Sequence, residues 1–263
     1  MNEFCCLAKL GRHENIVEFY GASIHGRLNC PPRFVIHLEY LQHTLEDYLR
    51  DPGNPTFRSI KPLNIIKGLV AGLAHCHNLG IAHRDISPPN ILLTSSGVKY
   101  ADFGLSKDLG SNHNCEPWDL CDQMPANSSW HCSPWNQDSP LKVDLTALAA
   151  VVFEVLGVAV LKENVLELRK AGHKSPPHSF CTEYGKLKDS ILAIVIEMIE
   201  IIQAAPVPAS ERCAAKLNLL LDYITGLLVN PPTQTTAQEF EMVVVRFVAG
   251  TEPDFSDILE AVP

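Results

Sequence analysis

Three oxygen-bearing side chains stand at a spacing that chemistry can use. Asp85 and Asn90 lie five residues apart in His83-Arg84-Asp85-Ile86-Ser87-Pro88-Pro89-Asn90, and Asp102 opens Asp102-Phe103-Gly104, seventeen residues after Asp85. A carboxylate can orient an attacking hydroxyl and take its proton. An amide oxygen and a second carboxylate are hard ligands of the kind magnesium accepts. Phosphoryl transfer from a triphosphate to a hydroxyl needs these parts and asks little covalent chemistry of the protein. On this reading Asp85 handles the hydroxyl, and Asn90 and Asp102 hold the metal.

The elements around these residues must hold them still. Leu63, Ile66, Leu69, Val70 and Leu73 recur at helical spacing before the first motif, with Ser59 expected as N-cap, Pro62 in the first turn and Gly80 at the close. Pro88-Pro89 and Ser95-Ser96-Gly97 separate short strands around the motifs. Upstream, Phe4, Leu7 and Leu10 mark a helix ended by Gly11, and Ile16–Tyr20 and Phe34–Tyr40 read as two strands of a hairpin. A further helix begins near Leu45. Downstream, Leu145–Leu161 is apolar nearly all round, as a helix at the centre of a lobe should be. Helices are also expected near Leu187–Ile202, Arg212–Val229 and Thr236–Val248, broken apart by Pro206 and Pro208 and by Pro231-Pro232.

Composition narrows the classes. At 263 residues the chain can bury one large core. A net charge of -9 argues against nucleic acid or an anionic membrane surface as partner. Glu197 and Glu200 interrupt the apolar stretch Ile191–Ile202, so no membrane span is expected, and the N-terminus does not read as a secretory signal. Nine cysteines, an odd number without zinc-type pairs, fit reduced thiols and a cytoplasmic or nuclear setting. His113, Cys115, Cys121, His131 and Cys132 crowd one segment without a metal-ligand spacing.

The two motifs match H-R-D-L-x-x-x-N and D-F-G, and the chain resembles a eukaryotic protein kinase domain. The order of other segments is similar. His13-Glu14-Asn15-Ile16-Val17 resembles the entry to the family's fourth strand, and counting back puts Glu3 at the helix C glutamate. Val35–Leu41 resembles the fifth strand and hinge, with Leu38 as gatekeeper. The resemblance implies an α+β fold: a mostly helical C-lobe over 42–263, and over 1–41 a residual N-lobe of helix C and a two-strand hairpin. It implies ATP and Mg2+ as cofactors, with Glu39, Tyr40, Leu41, Leu92 and Glu3 on the nucleotide side. Asp85, Arg84 and Asn90 would be catalytic, and Asn90 and Asp102 would hold the metal. Leu7, Phe19, His83 and Phe103 fall on the regulatory spine, and Asp144 on the aspartate that anchors the catalytic loop. Arg84 would pair with a phosphorylated activation-segment residue, for which Ser128 and Ser129 are candidates. A protein substrate is implied, serine/threonine-type by default, with room for a regulatory protein partner.

Departures from the pattern shape the expectation. These residues contain no G-x-G-x-x-G and no V-A-I-K strand, since Met1 already falls inside the helix C match. Ser87 stands where serine/threonine kinases carry a lysine. Ser133-Pro134-Trp135 replaces A-P-E, and Gln234 replaces the arginine that in relatives pairs with its glutamate. Loss of both partners of a buried ion pair can be neutral, whereas loss of one is costly. With so little sheet, Phe4, Leu7 and nearby apolar strand faces are expected to form an exposed patch. The expectation is therefore a kinase catalytic domain, N-terminally truncated, with a pseudokinase binding module as the alternative. A small-molecule phosphotransferase of the aminoglycoside or choline kinase type is disfavoured by Arg84, the D-F-G triplet and the hinge. His83 reads as structural, and His75 and His77 as partly exposed helix residues.

Overall fold

The structure is a computed structural model, and it describes residues 2–26, 32–110, 140–161, 196, 200, 210–229 and 235–249. It begins with α1 (Asn2–Leu10), ended by Gly11 in the left-handed region at φ 64°. Strands β1 (Phe19–His25) and β2 (Arg33–Leu38) form an antiparallel hairpin with a register irregularity between Phe19 and Gly21. The first strand thus starts three residues later than Ile16. Ile16 instead bridges Tyr100 in parallel, with Val17 N–H donating to Tyr100 O and Tyr100 N–H to Asn15 O, both at 2.9 Å. Burial explains the shift. Ile16 and Val17 are almost completely buried, so they are drawn into the junction with the second lobe rather than onto the exposed hairpin.

The expected apolar patch is covered on α1 and remains on the hairpin strands. Leu7 is 1 % exposed, and Phe4, half-buried, meets Phe19 and Phe34 edge-on with ring centroids 5.6 Å from each. The helix covers its own apolar face with the hairpin. What stays in solvent is Tyr20, Ile24, Phe34 and Tyr40.

The second lobe opens with α2 (Leu45–Arg50), where Thr44 and Asp47 form a capping box: Asp47 Oδ2 accepts the Thr44 N–H at 2.9 Å. Helix α3 (Pro62–Asn78) is capped by Lys61 without a side-chain bond, not by Ser59, because Pro62 occupies the first helical position and needs no donor partner. Gly80, at φ 68°, closes it. Two short strand pairs follow the expected turns: β3 (Ile81–Ala82) with β6 (Lys107–Asp108), and β4 (Ile91–Leu93) with β5 (Val98–Tyr100). A 3-10 turn, Pro88–Asn90, leads into β4.

Helix α4 (Pro140–Leu161) runs through the core. Every residue from Val143 to Val158 is buried, and the polar members are Asp144, Thr146 and Glu154. Helices α5 (Ser210–Val229) and α6 (Ala237–Val248) pack on it and on α3, the latter starting at a Thr236–Glu239 capping box. Close approach of α3 to β5 depends on Gly72, where an added Cβ would meet the Tyr100 ring at 2.7 and 2.8 Å. Tyr100, fully buried, donates its hydroxyl to Leu69 O at 2.8 Å.

Candidate active site

The loop carrying the first motif is held from below by Asp144. This carboxylate, at zero exposure, accepts the backbone N–H of His83 at 2.8 Å on Oδ2 and that of Arg84 at 2.7 Å on Oδ1. His77 Nε2 donates to the same Oδ2 at 2.9 Å. Arg84 has φ 69°, an uncommon conformation for a residue with a side chain, which persists only where the surroundings impose it. Two charge-assisted bonds, from the N–H of Arg84 itself and that of the preceding His83, supply the constraint.

His83 is buried among Tyr100 and Phe103, its ring centroid 4.7 Å from that of Phe103. Its Nε2 must donate to Ala101 O at 3.1 Å, and its Nδ1 accepts the Asp85 N–H at 3.3 Å. That assignment describes a neutral ring, and burial pushes its pKa down in agreement. The histidine is a girder between the two motifs.

Asn90 joins Asp85 to Asp102. Its Nδ2 donates to Asp85 O at 3.0 Å and to Asp85 Oδ2 at 2.7 Å, using both amide hydrogens. Its backbone carbonyl accepts the Ala101 N–H at 2.9 Å, which brings Asp102, the next residue, alongside. Asp102 is exposed, with φ 57°, and its Oδ1 takes a 3.3 Å bond from Gly104 N–H. Burial raises the Asp85 pKa, opposed by His83 and the Asn90 bond and reinforced by Asp102. Glu3, on α1, reaches the same place: burial first and Asp102 second raise its pKa, and the Phe103 backbone N–H bonds it. Three carboxylates, Glu3, Asp85 and Asp102, therefore share one field, and among the described residues no side-chain cation pairs with Glu3.

These residues fit a magnesium ion. The Asn90 amide, having committed its nitrogen, presents Oδ1, and Asp102 is exposed with no donor to Oδ2 among the described residues. Two hard oxygens suit an ion that keeps several waters and shares phosphate oxygens rather than needing a full protein cage. Among the described residues no group of three His, Cys, Asp or Glu side chains could hold a metal without such help.

Of the segments that the resemblance puts on the nucleotide side, Leu38 is half-buried at the end of β2, and the chain from Glu39 to Leu41 leaves the strand as coil. Tyr40 points into solvent. Leu92, half-buried on β4, lies next to the chain that follows this segment: Thr44 bridges Leu92, and Leu93 N–H donates to His43 O at 2.8 Å. Glu39 does something the spacing did not suggest. Its Oε1 accepts from Lys99 Nζ and from Glu18 N–H, both at 2.6 Å, locking the segment to β5 and to the start of β1. Sixty residues separate Glu39 from Lys99, and no local pattern could have linked them.

His77 also differs from expectation. Its side chain is only 5 % exposed and bonded to Asp144, whereas His75, half-buried, stacks on His13 with centroids 4.3 Å apart and donates Nε2 to Leu10 O at 2.9 Å. Alternation along α3 was a clue, since Leu73 and Ala74 on adjacent turns are buried. Ser87 is nearly buried at the start of the 3-10 turn. Cys5, Cys6 and Cys76 are free thiols. Ser128, Ser129, Trp135, Gln234 and the His113–Cys132 group lie outside the described residues, as does most of the helix expected near Leu187–Ile202. No described helix is long and apolar enough to cross a membrane.

Comparison with known proteins agrees with this geometry. A model of the protein kinase domain matches residues 1–176. The chain is 37 % identical over 100 residues to mitogen-activated protein kinase kinase kinase 5 of Arabidopsis thaliana, covering 37 % of this chain and 13 % of that protein. It is 39 % identical over 105 residues to the serine/threonine-protein kinase crk1 of Schizosaccharomyces pombe, covering 38 % and 28 %. It is 29 % identical over 189 residues to "Probable cell division protein kinase" of Encephalitozoon cuniculi, covering 65 % and 63 %. The chain thus spans less than two thirds of the length of each of these relatives. With two-thirds of its own length under the family model, and with both motifs joined through Asn90 and anchored by Asp144, the chain belongs to the protein kinase domain family.

Proposed function

We propose that this chain carries the catalytic loop and metal-ligand half of a protein kinase site that moves the ATP γ-phosphoryl group to serine or threonine hydroxyls. The observation that carries this reading is the double donation of the Asn90 amide to Asp85, which leaves Asn90 Oδ1 for a cation beside Asp102. Asp85 Oδ2 is held by that bond, so Oδ1 is left to face the substrate hydroxyl and take its proton as the new P–O bond forms. The bond to the β-phosphate oxygen breaks in the same displacement, and ADP leaves. Bound magnesium supplies positive charge across the phosphate oxygens. Glu39, Tyr40 and Leu41 edge the nucleotide through their backbone, and Leu92 floors it. Glu3 and Asp102 add negative charge, so the site is electrostatically prepared for cations rather than for naked phosphate.

A second reading, a pseudokinase that binds without transferring, is favoured by Ser87 in the lysine position and by Glu3 having no described cation beside it. One pair of assays separates them: Mg·ATP binding by calorimetry, and phosphate transfer from labelled ATP to a basic Ser/Thr protein substrate. Transfer that disappears in Asp85→Asn supports the catalytic reading. Binding without transfer supports the second, and absence of both sinks each as a description of this chain.

A further inference from the structure

The hairpin carries a cluster that phosphoryl transfer does not use. Alternation along β2 turns Phe34, Ile36 and Leu38 toward α1, as the Phe34–Phe4 contact shows. His37 faces the other way, beside Ser23 and His25 of β1; Ser23 is paired with Val35, and His37 with Gly21. Ser23 Oγ lies 2.9 Å from His25 Nε2 and 2.7 Å from His37 Nε2. The two ring nitrogens are therefore at most about 5.6 Å apart, on neighbouring strands of one exposed face.

A hydroxyl has one proton to donate. When Ser23 gives it to one imidazole and accepts from the other, one Nε2 presents a lone pair inward. Neutral imidazole is the commonest metal ligand, with Zn–N bonds near 2.0–2.1 Å. Two such bonds at a tetrahedral angle put the nitrogens about 3.3 Å apart. Chelation draws the two nitrogens together by up to about 2.3 Å, through side-chain rotation and closure of the hairpin around the ion.

We propose that His25 and His37, with Ser23 between them, form a surface site for one divalent transition-metal ion of the imidazole-preferring class: zinc, nickel or copper. Magnesium does not compete there, since it prefers oxygen ligands. The ion ties β1 to β2 across a sheet of only two strands, which is marginal alone. Binding therefore stabilises the hairpin by an amount that rises with the logarithm of the ion's concentration over its dissociation constant.

The test is titration of the intact chain with Ni2+ under excess Mg2+, by calorimetry and by thermal melting, for wild type, His25→Ala, His37→Ala and the double variant. All three variants alter exposed side chains, and circular dichroism verifies their fold. The wild type should bind one more equivalent than the double variant, with each single variant weaker by about tenfold or more. A nickel-dependent rise in melting temperature should accompany binding in the wild type and be absent from the double variant. Equal stoichiometry and affinity in wild type and double variant overturn the proposal, whatever the thiols of the chain bind. Kinase activity plays no part in the readout.

Discussion

Replacing Asp144 tests the claim that one buried carboxylate shapes the catalytic loop. In Asp144→Ala the backbone N–H groups of His83 and Arg84 lose their acceptor in a site closed to water. Each buried unsatisfied donor costs about 1–3 kcal/mol, and hydrogen bonds to a charged group sit at the upper end. His77 loses its partner as well. Because Arg84 can relax from φ 69° once released, part of the cost returns as relieved strain of about 1–3 kcal/mol. The net expectation is a loss of about 3–5 kcal/mol, a large share of the roughly 5–15 kcal/mol typical of a folded domain. Asp144→Asn should cost less, about 2–3 kcal/mol, because one oxygen still accepts while the new NH2 group faces the His83 donor. Urea denaturation gives both numbers, and hydrogen exchange reads the cause directly: protection of the His83 and Arg84 amides should fall in both variants. If Asp144→Ala costs under about 1 kcal/mol, or leaves those two amides protected, the anchoring argument fails.

Three further outcomes follow from particular contacts. The raised pKa of Asp85 means that its charged form disfavours the fold: the stability tied to its protonated form is present below the unfolded-state pKa and is lost as pH rises through the folded-state value. Asp85→Asn should therefore be more stable than wild type at neutral pH, by about 1 kcal/mol on the usual scale for relieving a functional group. A melting series should show that gain vanish in acid, and a constant gain at every pH would contradict it. Asn90→Ala frees the Asp85 carboxylate from its 2.7 Å bond and removes a metal ligand, so transfer should fall by about 100-fold or more, with an increased magnesium requirement. A steady-state assay across magnesium concentrations checks this. Gly72→Ala drives a methyl into the Tyr100 ring and should destabilise by about 1–3 kcal/mol, whereas Gly226→Ala on α5 meets open space and should stabilise by about 0.5–1 kcal/mol. Chemical denaturation of the pair tells steric clash from helix propensity.

Much of the site was legible because its chemistry is local in sequence. Asp85 and Asn90 sit on one short turn, so the five-residue spacing itself brings their side chains together. The helix pattern of α3, with Pro62 opening and Gly80 closing it, and the all-round apolar α4 were equally readable, since helical period and breaker residues are local signals. Thr44-Leu45-Glu46-Asp47 and Thr236–Glu239 carry their capping boxes within four residues.

What lay beyond the sequence involves partners far apart along the chain. Ile16 has the alternation of a hairpin strand, yet the fold spends it on a parallel bridge to Tyr100, because a buried junction gains more from it than an exposed ribbon would. Phe4 and Leu7 looked uncovered until α1 folded onto the hairpin. Glu39 found Lys99, and His77 found Asp144, across sixty and sixty-seven residues. Residue types and spacing determined which groups could do the chemistry. Only the tertiary structure decided which charges face one another and which are buried, because desolvation and Coulomb energy depend on distance in space and not on distance along the chain.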